Sequence, residues 1–379
     1  MKFIHLADLH LGKRVCEVSM LDDQIYILEQ ILGLVRQHRA DAVLIAGDVY
    51  DRPAPPPEAV AVLDDFLTKL QALGTPCLLI PGNHDSGERL AFGAQLLDRA
   101  GVYLAPVFDG HVRTVELQDP YGPVQFTLLP FLRPVQVRRY FPEIAPGDYE
   151  GAVRAVLSTV PAEPGMRRVL LAHQFVTALG VPPERCESEL ASVGTLDNVD
   201  VSAFDGFDYV ALGHIHGPQR IGRDTVRYAG SPLKFSFSEA RHRKSVPLVT
   251  LGPKGQVEWE LLPLTPKRDL REIRGSIASL LDPANRTHTG DYLHITLTDD
   301  AVMDAMNRVR AAYPNTLRLD FDNALTALAQ APVPVRQPAL RAPLTLFAAF
   351  YEQQNGQPMD ADMQALAREM LEDVGEGLR

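Results

Sequence analysis

Residues Ala42 to Asp51 read Ala-Val-Leu-Ile-Ala-Gly-Asp-Val-Tyr-Asp. The continuous apolar start is the pattern of a strand buried on both faces, in a sheet covered by helices. This strand delivers an ionisable carboxylate, Asp48, to a place with little water, where an unpaired charge is costly. An arginine or a metal ion must answer it. Four further apolar runs end in the same way: Phe3 to Ala7 leads into Asp8 and His10, and Cys77 to Pro81 into Gly82-Asn83-His84-Asp85. Val169 to Ala172 delivers His173, and Tyr209 to Gly213 delivers His214 and His216.

In α/β folds ligands bind just beyond the carboxyl ends of the strands, so these five ends can converge on one place. The donors are Asp8, His10, Asp48, Asn83, His173, His214 and His216. They are too many for one tetrahedral ion, whereas two ions sharing Asp48 as a bridge would use them all. Carboxylate, amide and imidazole without thiolate suit manganese, iron or zinc rather than calcium. Each fragment alone has a plainer explanation. An aspartate two residues before a histidine is ordinarily a capped turn, and a lone His173 a hydrogen-bonded core residue. The joint pattern is what points to metal.

The run Tyr209 to His216 is followed by short alternating stretches, Thr225 to Ala229 and Val246 to Leu251, which predict a second, antiparallel sheet. Before it, Ile25, Leu28, Leu32 and Val35 form one helical stripe and Val60, Leu63, Leu67 and Leu70 another, giving βαβ units with parallel strands. Val112 to Leu117 and Val124 to Leu129 read as a hairpin, and Tyr149 to Thr159 as a helix. The expected architecture is α/β: a two-layer β core flanked by helices over 1–265. A polar excursion at 176–205 is long enough to be a binding element. From 266 to 330, strands at Leu270 to Arg274, Tyr292 to Leu297 and Leu317 to Phe321 surround a stripe of Val302, Met306, Val309 and Tyr313, a small α+β unit. Four prolines mark 331–342 and its end as an extended linker, and 343–379 carries two short amphipathic helices broken at Asn355-Gly356-Gln357-Pro358.

Composition narrows the function. With 379 residues and 46% hydrophobic content the chain can bury a sizeable core. No apolar stretch is long enough to span a bilayer, and nothing reads as a signal peptide, so a cytoplasmic protein without membrane partners is expected. Cys16, Cys77 and Cys186 are scattered, as free thiols in a reducing compartment are. A net charge of −11 argues against this chain wrapping a duplex by itself. Two divalent ions against the carboxylates of Asp8 and Asp48 nevertheless leave the site locally positive, which favours an anionic phosphodiester. Basic residues cluster at Arg133 to Arg139, read as a solvated face, and at Lys234 to Lys244, a candidate DNA contact.

The order Asp8-x-His10, Gly47-Asp48-x-x-Asp51, Gly82-Asn83-His84-Asp85, His173, Gly213-His214-x-His216 resembles the calcineurin-like metallophosphoesterases, in particular the nuclease subunits of bacterial complexes that process DNA ends. Gly230-Ser231-Pro232 followed by Phe235-Ser236-Phe237-Ser238-Glu239 is similar to the segment closing the nuclease domain there. The resemblance implies two divalent ions, with manganese preferred. One takes Asp8, His10, Asp48 and His216, and the other Asp48, Asn83, His173 and His214. It implies that His84 is a general acid rather than a ligand, although a hydrogen bond to Asp48 or Asp51 that only orders the loop would also account for it. It further implies exonuclease action on duplex DNA and endonuclease action on single strands, stimulated by ATP through a partner, in repair, recombination and replication. The region 266–330 would cap the DNA. The tail 343–379 would bind an ABC-type ATPase with a coiled coil, and two nuclease chains would pair within a heterotetramer. Asp51 departs from the histidine of archaeal and eukaryotic relatives. Two other classes compete: a hydrolase of small phosphoesters, against which the cap and tail speak, and a metal-free scaffold, against which the full ligand set speaks.

Overall fold

The computed structural model describes residues 1–105, 107–189 and 197–322, with short pieces at 347–348, 351–352, 357–360, 363–364 and 366–367. The linker at 331–342, most of the tail and the middle of the 176–205 excursion fall outside them. One compact unit spans Met1–Phe321, and Asp322–Arg379 forms another.

Alternation along the buried strands builds the larger unit in layers. Phe3, Leu44 and Leu78 from one sheet meet Phe126, Val169 and Tyr209 from a second in a shared inner core. Their sequence neighbours Ile4, Val43 and Leu79 point to the other side, against helices Leu21–His38 and Pro57–Ala72. Leu170, Val210 and Leu212 likewise face the helix Tyr149–Ser158 on the far side of the second sheet. Both faces of each central strand are therefore buried, which is why these stretches are apolar throughout. The expected two-layer β core flanked by helices is what forms.

The first sheet has the order Val257–Pro263, Ser245–Leu251, Lys2–Leu6, Ala42–Ala46, Cys77–Ile80, Val102–Leu104. The second runs Gln219–Ile221, Arg223–Tyr228, Tyr209–Leu212, Arg167–Ala172, Gly122–Leu128, Arg113–Asp119. The hairpin forms with Asp119 opposite Gly122. The antiparallel sheet expected after His216 does not form as a unit. Arg223–Tyr228 pairs parallel with Tyr209–Leu212 in the second sheet, while Ser245–Leu251 pairs antiparallel with Lys2–Leu6 in the first. Local alternation shows that a strand exists but not which edge it joins. The two helical stripes also shift. Ile27 and Ile31 join Leu28, Leu32 and Val35 inside, leaving Ile25 42% exposed, and Ala59 and Phe66 go in while Val60 is 45% exposed.

The strands Leu270–Gly275, Tyr292–Leu297 and Thr316–Phe321 make a three-stranded parallel sheet with its own core of Ile277, Leu293, Ile295, Val309 and Tyr313. A polar tie anchors it to the first helix. Fully buried Asp23 accepts from Arg268 Nε at 3.0 Å and Nη2 at 2.5 Å, and from the Tyr292 hydroxyl at 2.9 Å. The next residue, Gln24, holds a different neighbour: its Nε2 donates to the carbonyls of Leu9 (3.1 Å) and His10 (2.7 Å).

At the opposite end from the strand exits, Arg167 forks onto Asp119 at 2.9 and 2.5 Å and donates to the Gly122 and Gly252 carbonyls at 2.6 and 3.0 Å. Both side chains are almost wholly buried, at 3% and 5% exposure. Removing one partner leaves the other charge stranded, so Asp119→Ala is expected to cost about 3–5 kcal/mol. Urea unfolding should show a lower midpoint at an unchanged slope, and Asp119→Asn, which keeps one acceptor, should lose less.

Candidate metal centre

The central strands of both sheets end at the same rim, and every expected donor lies just past an end. Asp8 and His10 follow Lys2–Leu6, Asp48 follows Ala42–Ala46 and Asn83 follows Cys77–Ile80. From the second sheet, His173 follows Arg167–Ala172, and His214 and His216 follow Tyr209–Leu212. The chain turns sharply to bring them in. Asp8, His10, Asp48 and His214 have φ of 54°, 44°, 48° and 99°, left-handed geometry that non-glycine residues adopt at a cost of about 1–3 kcal/mol each. Close approach explains two glycines. A Cβ on Gly47 (φ 87°) would collide with the His173 ring, and one on Gly213 with the Ala46 carbonyl, 2.7 Å from His173 Nδ1.

All seven residues come together. His10 Nε2 lies 3.2 Å from His216 Nε2 and 3.6 Å from Asp48 Oδ2, and Asp8 groups with this pair of imidazoles. On the other side His173 Nε2 is 3.3 Å from Asp48 Oδ2 and 3.1 Å from Asn83 Oδ1, which is 3.0 Å from His214 Nδ1. Asp48 Oδ2 is thus common to both halves. His84 stands differently. Its backbone N–H donates to Asp48 Oδ1 (2.9 Å), its ring Nδ1 is 3.1 Å from the Asp51 carbonyl, and its Nε2 is 3.9 Å from Asp48 Oδ2. The side chain is 18% exposed, against 1% for His10 and none for His173, so its ring is still reachable from solvent.

Electrostatics support a cation here. Burial pushes Asp8 well above the usual carboxylate range; His173 opposes this and the Asp48 charge adds to it. Asp48 suffers the same burial, but His173, His10 and His84 outweigh it and hold its carboxyl below the ordinary range. His173 would be driven neutral by burial, yet Asp48 raises it to about 9. Burial lowers His10 to about 4 and His214 to about 3 and depresses His216, leaving neutral imidazoles, the form that ligates metal. Two neutral nitrogens of His10 and His216 at 3.2 Å are an arrangement that a divalent ion fits. The donor set therefore fits the group the sequence implied.

An outer polar layer, without a role in the sequence expectations, holds these side chains. Asp85 accepts from the N–H groups of Val49, Tyr50 and Gly82 at 3.0, 2.9 and 2.9 Å, tying the Asp48 and Asn83 loops together. Asp51, paired with Lys13 at 2.7 Å, stands 3.5 Å from His10 Nδ1. Behind His216, Ser188 Oγ is 2.9 Å from Nδ1 and donates to Glu239 Oε1 at 2.6 Å, while Glu189 accepts the His216 N–H at 2.8 Å. Burial resists ionisation of Glu239, but Lys244 at 2.6 Å overrides it and keeps the carboxylate charged. Glu239 was visible in the Phe-Ser-Phe-Ser-Glu stretch, but its partner Ser188 comes from the polar excursion, which no local pattern links to it. Lys244 and Lys234, expected on a DNA face, are instead paired with Glu239 and Asp269.

Comparison with known proteins identifies the family. The family model described as calcineurin-like phosphoesterase matches residues 1–218, and one described as type 5 capsule protein repressor C-terminal domain matches residues 266–355. The SbcD chain of the SbcCD nuclease from Staphylococcus epidermidis is 31% identical over 330 residues, 86% of this chain and 87% of that protein. Among solved structures, a Thermus thermophilus protein overlaps 69% of this chain and 98% of its own at 14% identity and a TM-score of 0.40. A dimetal phosphatase from Danio rerio overlaps 70% and 99% at 14% identity and a TM-score of 0.39. Both structural overlaps are loose, and the assignment rests on the sequence matches. The chain belongs to the calcineurin-like phosphoesterases, in the branch of the SbcD nucleases, and is a metal-dependent phosphodiester hydrolase.

Proposed function

We propose that this chain is the nuclease subunit of an SbcCD-type complex, cleaving DNA as a duplex exonuclease and single-strand endonuclease in end processing, repair and recombination. The observation that carries the reading is the convergence of seven donors on two sides of Asp48 Oδ2. Asp8, His10, Asp48 and His216 would hold one divalent ion, and Asp48, Asn83, His173 and His214 the other. Manganese suits these nitrogen and oxygen donors, as do iron and zinc, and is the preferred ion by resemblance. When bound, such ions acidify water to give a nucleophile at neutral pH and offset charge on the phosphoryl oxygens. The protein supplies the rest. Asp48 fixes the spacing of the two halves, and Asp85 holds the Asp48 and Asn83 loops at that spacing. His84, anchored through Nδ1 on the Asp51 carbonyl, presents Nε2 to the leaving oxygen; in its protonated form both ring nitrogens donate, so it serves as general acid. Stripping the protein with chelator should abolish nicking of single-stranded DNA circles, and manganese should restore it best. Full cleavage without metal would overturn the reading. Turnover of bis(p-nitrophenyl) phosphate with no cleavage of any DNA would favour a hydrolase of small phosphoesters.

Variants separate the roles. His84→Gln should lose about 10²–10⁴-fold in cleavage while keeping its manganese, and Asp48→Ala should lose both. Glu239→Gln should weaken manganese binding by about 10–100-fold, because it orients His216 through Ser188. Metal analysis and manganese titration of the purified variants read this out. An emptied site in His84→Gln would make His84 structural.

The same reading covers the assembly. Residues 1–265 form the nuclease part and 266–330 cap the DNA. The tail 343–379, beyond the linker 331–342, binds an SbcC-like ABC-type ATPase with a coiled coil, and two nuclease chains pair within a heterotetramer in the cytoplasm. No helix among the described residues is long and apolar enough to cross a membrane. Pairing is supported by the groove between helices Leu21–His38 and Pro57–Ala72, lined by Leu28, Leu32, Val62 and Phe66, beside exposed Ile25 and Val60. The partner would also bring the DNA grip that a charge of −11 denies this chain. Deleting 343–379 should spare manganese-dependent cleavage of single strands but abolish co-purification with the ATPase and ATP-stimulated attack on duplex ends. Ile25→Glu should yield a monomer by light scattering. A truncated chain that still forms an ATP-stimulated complex would rule the tail out as the tether.

A further inference from the structure

A cleft of about 280 Å³ opens directly beside Asn83, on the side of the metal centre away from His10 and His216. The segment that forms its wall is pinned to the Asn83 loop, since the Phe131 N–H donates to the Pro81 carbonyl at 3.0 Å. The half-buried Phe131 ring stands edge-on to the ligand-position ring of His173, centroids 6.3 Å apart at 80°. The exposed guanidinium of Arg133 lies 5.9 Å from the Phe131 centroid, and buried Phe108 closes the wall behind. Hydrogen-bonding groups line the remainder: Gln136, whose Oε1 accepts from the Arg133 N–H at 3.3 Å, and exposed Glu88.

We infer that this cleft is a nucleoside subsite, taking the base next to the scissile phosphate against Phe131 and Arg133. The inference rests on the nuclease reading and adds to it where the substrate strand runs. Three features define the occupant. A partly exposed aromatic ring with a guanidinium over it, both in the wall of one cleft, offers planar groups on which a flat π system can stack, and every base has one. The charge disfavours a second phosphate as the main ligand: Glu88 and the carboxylate of Asp85, held by three backbone donors, share the lining with Arg133. The position adjoins Asn83 and His173, so a strand whose phosphate sits at the metal centre places its neighbouring nucleoside here. Arg133, Arg138 and Arg139 are all exposed, as expected for a solvated face, and of the three Arg133 also lines the cleft.

The test compares diesters with and without a base. The substrates are the p-nitrophenyl esters of thymidine 5′-phosphate and thymidine 3′-phosphate, set against methyl p-nitrophenyl phosphate, with manganese-loaded full-length protein. Stacking of one base is worth about 1–3 kcal/mol, so kcat/KM for one thymidine ester should exceed that of the methyl ester by about 5- to 150-fold. Which ester is preferred gives the side of the phosphate that the base occupies. Phe131→Ala should bring the thymidine-to-methyl ratio close to one, and Phe131→Trp, which restores a stacking face, should keep it high. Calorimetric titration with thymidine 5′- and 3′-monophosphates should give the same preference at equilibrium and lose it in Phe131→Ala. A wild-type ratio near one, or a ratio that Phe131→Ala leaves unchanged, overturns the subsite while leaving the nuclease reading intact. Absence of turnover on DNA and on every diester overturns the nuclease reading and the subsite with it.

Discussion

The structure is organised by the cost of putting Asp48 where water does not reach. Its carboxylate lies at the meeting of two sheets, 4% exposed, with three imidazoles within 3.9 Å. Nothing of a purely apolar core would stabilise a charge there, and a salt bridge would leave it closed to any substrate. His173, His10 and His84 answer that charge in the protein itself, and the divalent cations that the fold implies would share it with them. The strained left-handed turns at Asp8, His10, Asp48 and His214 follow from the same demand. Four residues hold unfavourable backbone geometry because only those turns aim side chains from two separate sheets at one point.

Rigidity is supplied by the layers behind. The inner core between the sheets fixes the strand ends, and the outer polar layer fixes the rings. His173 is held through Nδ1 by the Ala46 carbonyl at 2.7 Å, and His216 through Ser188 by Glu239. In each case the nitrogen facing away from the centre is satisfied, which fixes the orientation of the ring. The polar excursion after His173 therefore completes the site from outside the β core, through Ser188 and Glu189.

Much of this was legible in the sequence because burial on both faces leaves an unmistakable apolar run, and each run ended in a donor. The seven convergent residues needed only that pattern and the rule that ligands gather at strand ends. Other features depended on distance in sequence. Strands Arg223–Tyr228 and Ser245–Leu251 have similar alternation yet join different sheets, a choice made by their partners rather than by their own residues. Lys234 and Lys244 looked free for DNA because Asp269 and the folded-in position of Glu239 could not be foreseen. Ile25 and Val60 were placed inside by a helical stripe that the true contact face misses by part of a turn.

One helix start holds three regions together. Within three consecutive residues, Asp23 grips Arg268 and Tyr292 of the three-stranded sheet, Gln24 braces the backbone of Leu9 and His10, and Ile25 faces outward. Gln24 also accepts the Gly12 N–H at 3.0 Å, closing its amide on both sides of the His10 turn. This first turn works as a shared axle. Through the adjacent residues Asp23 and Gln24 the small sheet is coupled to the backbone of the His10 turn, alongside the second tie that Lys234 makes to Asp269.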